Sequence, residues 1–122
     1  MRAMTPTFPA ADGLEVTPAD AQQALADGTA VLVDVRELYE RQAGHADGSL
    51  HIPVTELSAR ATGELDKDTT VVFACRVGGR SLMAAQALRA AGYDAWSMAG
   101  GMLRWDAEGR GLVPDGGTVA DH

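Results

Sequence analysis

The chain of 122 residues has one cysteine, one lysine and only 5% aromatic residues. A single cysteine cannot form an internal disulfide, so the sequence carries no mark of an oxidising compartment. No run approaches the ~18 to 20 apolar residues that a membrane-spanning helix needs, and residues 1–13 lack the apolar core of a secretory signal. The formal net charge of −7 argues against general binding to nucleic acid or to anionic membranes. These features predict a cytoplasmic protein that binds neither nucleic acid nor membranes.

The length and the hydrophobic content of 46% are typical of one globular domain with a buried core. Residues 1–14 are rich in Pro, Ala and Thr and are predicted to form a flexible arm. We place the folded domain at residues 15–113 and a C-terminal tail at residues 114–122. The chain after Gly109 is rich in Gly, Pro and Asp, so we expect it to be frayed, and we assign no role to the last residue, His122.

Short apolar, β-branched runs alternate with helical segments along the domain. Thr17 and Pro18 form a helix start, and Gly28 is a helix stop. The predicted strands are 15–16, 30–35, 69–74 and 94–98, with a brief extended segment at 48–53; the predicted helices are 18–27, 37–42, 55–61, 80–91 and 102–108. This alternation predicts an α/β fold with a central, mostly parallel sheet flanked by helices on both faces. In such sheets ligands bind beyond the carboxyl ends of the strands.

The only cysteine, Cys75, stands where a buried strand ends and a glycine-bearing loop leads into a helix. A thiol attacks as the thiolate, and a free cysteine has a pKa of about 8.5. The helix N-terminus and the inward-pointing amides of a loop that contains Gly78 and Gly79 favour an anion at this position. Arg76 and Arg80 add positive charge if their side chains turn toward the pocket. The alternative is a buried cysteine that serves as a small apolar residue.

Three separated motifs resemble the rhodanese-like domains, a family of sulfurtransferases. The motifs are Cys75-Arg76-Val77-Gly78-Gly79-Arg80-Ser81, which resembles the family's active-site loop; Asp34-Val35-Arg36-Glu37 with Glu40, Gly44-His45, Gly48 and His51-Ile52-Pro53; and Gly100-Gly101-Met102 with Trp105. They occur in the family's order, and the match extends from about Val16 to Val113.

The resemblance implies a rhodanese-like fold and a catalytic role for Cys75. The cysteine would take a sulfane sulfur from a small-molecule donor such as thiosulfate, hold it as a persulfide and pass it to cyanide, a small thiol or a protein thiol. Such covalent catalysis predicts ping-pong kinetics, and it needs no cofactor and no metal. The loop is expected to bind the substrate, with Arg76 and Arg80 attracting its sulfonate end. The expected substrate-binding residues are Arg76, Val77, Gly78, Gly79, Arg80 and Ser81.

Three other functions compete with sulfur transfer. Tyrosine phosphatases and cell-cycle phosphatases place five residues between their cysteine and arginine, whereas four separate Cys75 from Arg80. The smaller cradle is suited to sulfur and disfavours phosphatase activity or arsenate reduction. A second alternative is a non-catalytic binding or regulatory module. A third is a redox sensor, because an exposed thiol of low pKa is easily oxidised.

Other polar residues are interpreted as scaffold. We expect Asp34 to accept hydrogen bonds from loop amides at its strand end. Arg36 and Glu40 are four residues apart, which favours an ion pair at the start of a short helix. His45 and His51 lack the spacing of a zinc site, so we interpret His45 as a hydrogen-bonded packing residue and His51 as part of a turn.

Overall fold

The β-branched runs form strands of one parallel sheet, as predicted. The computed structural model describes Phe8 and residues 13–122. The strands are β1 (Glu15–Val16), β2 (Ala30–Asp34), β3 (Leu50–His51), β4 (Thr70–Ala74) and β5 (Asp94–Met98). They lie in the order β1-β5-β4-β2-β3, and every pairing among them is parallel.

The described residues form five α-helices close to the predicted positions, of which four connect the strands and the last follows β5. They are α1 (Pro18–Asp27), α2 (Leu38–Ala43), α3 (Leu57–Glu64), α4 (Gly79–Ala90) and α5 (Gly101–Ala107). The hydroxyl of Thr17 accepts a hydrogen bond from the Asp20 amide at 3.1 Å and caps α1, which ends at Gly28 with φ +73°. The helix predicted over 55–61 begins only at Leu57, because a 3-10 turn over Val54–Glu56 precedes it.

Two hydrophobic clusters cover the two faces of the sheet. One packs α3 and α4 against Phe73 and its neighbours, and the other packs α1 and α5 around Met98 and Trp105. The predicted α/β fold with helices on both faces is therefore confirmed. Within the described part of the chain, no helix has both the length and the apolar character needed to cross a membrane.

The order of the strands places Cys75 at the middle of the sheet's carboxyl edge. It follows β4, which lies between β2 and β5. Asp34 pairs with Ala74, and Phe73 pairs with Ser97, so the ends of three strands meet beside the cysteine. The sheet thus delivers side chains from β2 and β5 to the same edge.

The chain beyond Gly109 packs on the domain, so the expectation of a frayed end is wrong for this segment. Val113 and His45 exchange backbone hydrogen bonds of 2.8 and 2.9 Å, and the Thr118 amide donates to Ala43 at 2.8 Å. A Cβ on Gly44 would lie 2.6 Å from the Thr118 carbonyl oxygen. The glycine therefore permits a close approach of two backbone segments, a role that composition does not distinguish from flexibility.

Most of the predicted N-terminal arm, residues 1–14, lies outside the described residues. Phe8 is described and buried, and its ring meets that of Trp96 edge-on with 5.4 Å between centroids. At the end of the arm the Leu14 carbonyl accepts a hydrogen bond of 2.7 Å from the Ser97 amide. These contacts tie parts of the predicted arm to β5.

Candidate active site

The sulfur of Cys75 lies in a pocket built by the loop that follows β4. The residue is 1% exposed and packs in the cluster that includes Val35 and Phe73. The Gly78 amide donates a hydrogen bond of 3.0 Å to Sγ, and the Ser81 hydroxyl lies 3.5 Å from it. Two polar groups of the loop thus turn toward one sulfur atom.

These groups set the charge state of the thiol. Burial raises the pKa of Cys75, because a desolvated thiolate is disfavoured. The Ser81 hydroxyl and the amides of Ser81, Gly78 and Val77 stabilise the thiolate, and together they bring the pKa below its usual value. The Ser81 hydroxyl is itself positioned by the Gly78 carbonyl at 3.1 Å and by the Ser97 hydroxyl at 2.8 Å.

The N-terminus of α5 fixes the direction of the loop amides. The amide of Met102 donates to the Cys75 carbonyl at 2.8 Å, and that of Leu103 donates to the Arg76 carbonyl at 3.0 Å. In a trans peptide the carbonyl and the next N–H point in opposite directions. Anchoring the Arg76 carbonyl on α5 therefore turns the Val77 N–H away from that helix, and this N–H is among the groups that lower the pKa of Cys75.

Glycines make this arrangement sterically possible at two positions. Gly78 has φ +123°, which side chains of L-residues rarely permit. Gly101 has φ +59°, and a Cβ there would lie 2.5 Å from the carbonyl oxygens of Cys75 and Arg76. The glycine at position 101 is thus explained by the contact between α5 and the loop.

Arg80 lies at the pocket, but it pairs with Glu40. Its Nη1 and Nη2 donate to the two carboxylate oxygens at 2.8 and 2.9 Å. The predicted pair between Arg36 and Glu40 is wrong, because Glu37 is extended and α2 begins only at Leu38, so the helical spacing does not apply. The guanidinium of Arg80 is therefore engaged by a buried carboxylate.

Arg36 instead pairs with Asp34 inside the protein. Its Nε and Nη2 donate to the two carboxylate oxygens of Asp34 at 2.9 and 2.8 Å, and the Arg36 amide donates to the same carboxylate at 3.0 Å. Asp34 therefore holds the chain just after its strand, as expected for a structural role. The exposures of the two residues, 0% and 2%, exclude direct contact with bulk solvent.

Arg76 extends along the surface of the pocket. Its Nη2 lies 3.1 Å from a carboxylate oxygen of Asp121. The Asp121 carbonyl also accepts a hydrogen bond of 3.1 Å from the Tyr39 hydroxyl, which holds the end of the chain over α2. The next residue, His122, lines the pocket, a contact for which the sequence gives no signal.

The resulting pocket has a volume of about 290 Å³. It is lined by Cys75, Arg76, Val77, Gly79, Arg80 and His122. Of the predicted loop residues, Gly78 and Ser81 lie behind this wall and contact the sulfur. The loop residues predicted to bind substrate thus lie together around Cys75, and their role in binding stays a prediction.

The imidazole rings of His45 and His51 face backbone carbonyls. Nδ1 of His45 lies 3.0 Å from the Arg41 carbonyl oxygen, and Nε2 of His51 lies 2.7 Å from that of Arg36. Because a carbonyl only accepts, each of these nitrogens carries the proton and is not available to a metal. Among Phe8 and residues 13–122, no three His, Cys, Asp or Glu side chains converge.

Comparison with known proteins agrees with this geometry. The family model for the rhodanese-like domain matches residues 17–108. The chain belongs to the rhodanese-like domain family. Among solved structures, it is similar to the human single-domain sulfurtransferase, with 32% identity and a TM-score of 0.70 over 80% of this chain and 98% of that one. It is also similar to a rhodanese-related protein of Thermoplasma volcanium, with 28% identity and a TM-score of 0.76 over 83% and 98%.

Curated relatives of this rhodanese-like domain carry more than one function in their names. An HTH-type transcriptional regulator of Mycobacterium tuberculosis is 37% identical over 110 residues, which are 88% of this chain and 47% of the relative. A probable adenylyltransferase/sulfurtransferase of the same organism, MoeZ, is 35% identical over 99 residues, 79% of this chain and 25% of the relative. The chain thus spans less than half of the length of either relative.

Sequence reasoning missed two groups of this rhodanese-like domain that support the loop. Ser97 carries a fully buried hydroxyl on β5, and its register beside Phe73 is the signal that could have placed it near Ser81. Glu40 is fully buried although it is charged. Only the fold shows that its partner is Arg80, forty positions away in the chain.

Proposed function

We propose that this protein is a sulfurtransferase that moves a sulfane sulfur from a donor such as thiosulfate to cyanide or to a thiol, through a persulfide on Cys75. The observation that carries the proposal is the sulfur of Cys75 held by the Gly78 amide and the Ser81 hydroxyl at the end of a central strand. Membership of a family whose named relatives include sulfurtransferases supports it.

The first displacement loads the enzyme. The Cys75 thiolate attacks the outer sulfur of thiosulfate, a bond forms between Sγ and that sulfur, and the S–S bond of thiosulfate breaks. Sulfite leaves with the electron pair. The lowered pKa of Cys75 provides the thiolate, and Arg76 attracts the sulfonate end at the mouth of the pocket.

The second displacement removes the sulfur from the enzyme. A cyanide or thiolate acceptor attacks the outer sulfur of the persulfide, and the S–S bond to Cys75 breaks. The electron pair returns to Sγ as thiolate, and the product is thiocyanate or an organic persulfide. The amides of Val77, Gly78 and Ser81, which favour the thiolate, stabilise the same negative charge when the sulfur is released.

The Arg80–Glu40 pair has a positioning role in this mechanism. It connects α2 to the first turn of α4 and so holds the loop between Cys75 and that turn. Four residues separate the cysteine from Arg80, and this arginine is already bound by a carboxylate. Both features favour a small sulfur anion over a phosphate ester.

Intact-protein mass spectrometry tests the proposal. After incubation with thiosulfate, the reduced protein should gain one sulfur atom, and cyanide should remove it with formation of thiocyanate. Cys75→Ser should gain none while it keeps the native circular dichroism spectrum. The absence of any gain with thiosulfate and with glutathione persulfide, in a folded and reduced sample, would reject a sulfurtransferase.

A second candidate is a thiol-based regulatory module, favoured by the likeness to a transcriptional regulator. In such a module the Cys75 thiolate would be modified and read by another domain or protein. Multiple-turnover formation of thiocyanate distinguishes the two functions, since a sensor is modified once and an enzyme turns over. We further propose a cytoplasmic protein whose partners are small sulfur donors and thiols, and neither nucleic acid nor membrane.

A further inference from the structure

A second pocket adjoins the Cys75 pocket on the side of β2. Its volume is about 210 Å³, and Arg80 and His122 line both pockets. Its remaining wall is mainly apolar and comes from Val35, Pro53 and Val54. We call it the side pocket. Two pockets that share a wall can hold two parts of one ligand.

From this arrangement we infer that the side pocket binds the carbon chain of a small, uncharged aliphatic thiol that accepts sulfur from Cys75. The inference rests on the proposed function and specifies its acceptor. Thiosulfate and cyanide have no alkyl group, so their transfer needs only the Cys75 pocket. A thiol must place its sulfur at the persulfide and its chain beside it, and the apolar wall of Val35, Pro53 and Val54 is the adjoining surface that favours an alkyl chain.

The wall of the side pocket is rigid. The amide of Val54 donates to the Val35 carbonyl at 3.0 Å, and the Val35 amide donates to Ala74 at 2.9 Å. Arg80 is held by its two hydrogen bonds to Glu40. The side pocket is therefore formed before a ligand enters, which lowers the entropic cost of binding.

Charge at the side pocket selects against anionic thiols. Glu37 contributes a carboxylate to its lining, and the whole chain has a formal net charge of −7. The guanidinium of Arg80 is already neutralised by Glu40. A thiol that carries carboxylates, such as glutathione, meets Glu37 and an arginine that is already paired, with His122 as the other ionisable side chain of the lining, whereas an uncharged alkyl thiol avoids the repulsion from Glu37.

The test compares acceptors on the protein loaded with thiosulfate. Single-turnover rates are measured with 1-propanethiol, glutathione and cyanide, for the wild type and for two variants. Thr55 is exposed and lies at the side pocket, so Thr55→Trp places an indole there. Thr62→Trp makes the same change at an exposed position of α3 and serves as the control.

We expect the wild type to transfer sulfur faster to 1-propanethiol than to glutathione when the rates are compared per thiolate. Thr55→Trp should lower the ratio of the 1-propanethiol rate to the cyanide rate roughly tenfold, and Thr62→Trp should keep the wild-type ratio. Equal ratios in the two variants, with thiocyanate still formed, would overturn the side pocket as acceptor site and leave the proposed function intact.

A binding measurement separates the two proposals completely. Methyl NMR of Val35 and Val54 during titration with 1-propanethiol needs no turnover, and we expect both side chains to shift. Shifts without any thiocyanate formation would support binding at the side pocket and reject the proposed sulfur transfer. Unshifted methyls at saturating 1-propanethiol would overturn the inference whatever the transfer assay shows.

Discussion

The guanidinium of Arg80 donates two hydrogen bonds, of 2.8 and 2.9 Å, to the buried carboxylate of Glu40. This pair joins α2 to the first turn of α4, immediately behind the loop of Cys75. Burial raises the pKa of Glu40, and the bonds from Arg80 and from the Glu37 amide outweigh it, so that the pKa lies below its usual value. The carboxylate therefore contributes to folding only while it is ionised and paired.

Removal of Arg80 should lower the stability of the fold, whereas its place in the loop alone indicates only a role in substrate binding. We expect Arg80→Ala to lower the free energy of unfolding by about 3 kcal/mol at neutral pH, because it leaves the buried Glu40 carboxylate without its ionic partner. Urea denaturation measures this loss. Arg104→Ala, which removes an exposed partner of Glu108, is the control, with an expected loss of about 0.5 kcal/mol.

The pH dependence of this loss identifies its origin. In the wild type the lowered pKa of Glu40 adds stability above the unfolded pKa of about 4.3, and this stability is lost as the pH falls through the lower folded pKa. Without Arg80, burial is opposed chiefly by the bond from the Glu37 amide, so we expect the folded pKa to rise above its usual value and stability to fall instead as the pH rises above about 4.3. If the difference in unfolding free energy between the wild type and Arg80→Ala stays constant across this pH range, the loss does not arise from Glu40.

Ser81 should control the reactivity of Cys75. Its hydroxyl is among the groups that lower the pKa of the thiol, so Ser81→Ala should raise the pH midpoint of alkylation by iodoacetamide by about one unit. The rate depends on the thiolate and therefore rises with pH in both proteins. Ser58→Ala, at an exposed position of α3, is the matched control and should keep the wild-type midpoint. An unchanged midpoint in Ser81→Ala would exclude the hydroxyl as a stabiliser of the thiolate.

Local sequence predicted the elements of the fold, and it failed where partners are distant in the chain. The strand that precedes Cys75 and the helix that follows it are evident from β-branched runs and glycines. The partner of Glu40 is not, because helical spacing selects Arg36 and the true partner comes from another element. His122 is a further case, since its position depends on how residues 113–118 pack against α2 and the chain after it.

The sequence likewise shows where the glycines are, but not which backbone contacts require them. Gly44 and Gly101 both lie where one backbone passes another within the reach of a Cβ. A one-dimensional pattern records that a glycine is present, whereas the contact partner depends on tertiary packing. The same composition therefore predicted fraying for a segment that is in fact held by backbone hydrogen bonds.

A methyl group at Gly101 should disturb both folding and transfer. Its Cβ would lie 2.5 Å from the Cys75 and Arg76 carbonyl oxygens, so Gly101→Ala must displace α5 from the loop. We expect a loss of about 3 kcal/mol in unfolding free energy and a reduced rate of persulfide formation. Thermal and urea unfolding, with the thiosulfate–cyanide assay, measure both effects.

Gly109→Ala is the matched control for the backbone conformation. Gly109 also has a positive φ, +71°, but a Cβ there would meet nothing within 4 Å. Gly109→Ala should therefore lower the free energy of unfolding by only about 1 kcal/mol, which is the cost of the left-handed conformation for alanine. Equal losses of unfolding free energy in Gly101→Ala and Gly109→Ala would show that the close contact between Gly101 and the loop does not contribute to stability.

Asp121 should compete with the anionic donor for Arg76. Its carboxylate lies 3.1 Å from Nη2 of Arg76 at the mouth of the pocket, and the Tyr39 hydroxyl holds its backbone. Asp121→Asn keeps the shape and removes the negative charge, so the KM for thiosulfate should fall roughly twofold, as is typical of an exposed ion pair. Asp115→Asn removes the same charge from an exposed position of the same segment and controls for net charge. Because exposed charges are screened, the difference between the two variants should shrink as salt is added; equal KM values at low salt would show that Asp121 does not occupy the site of the donor anion.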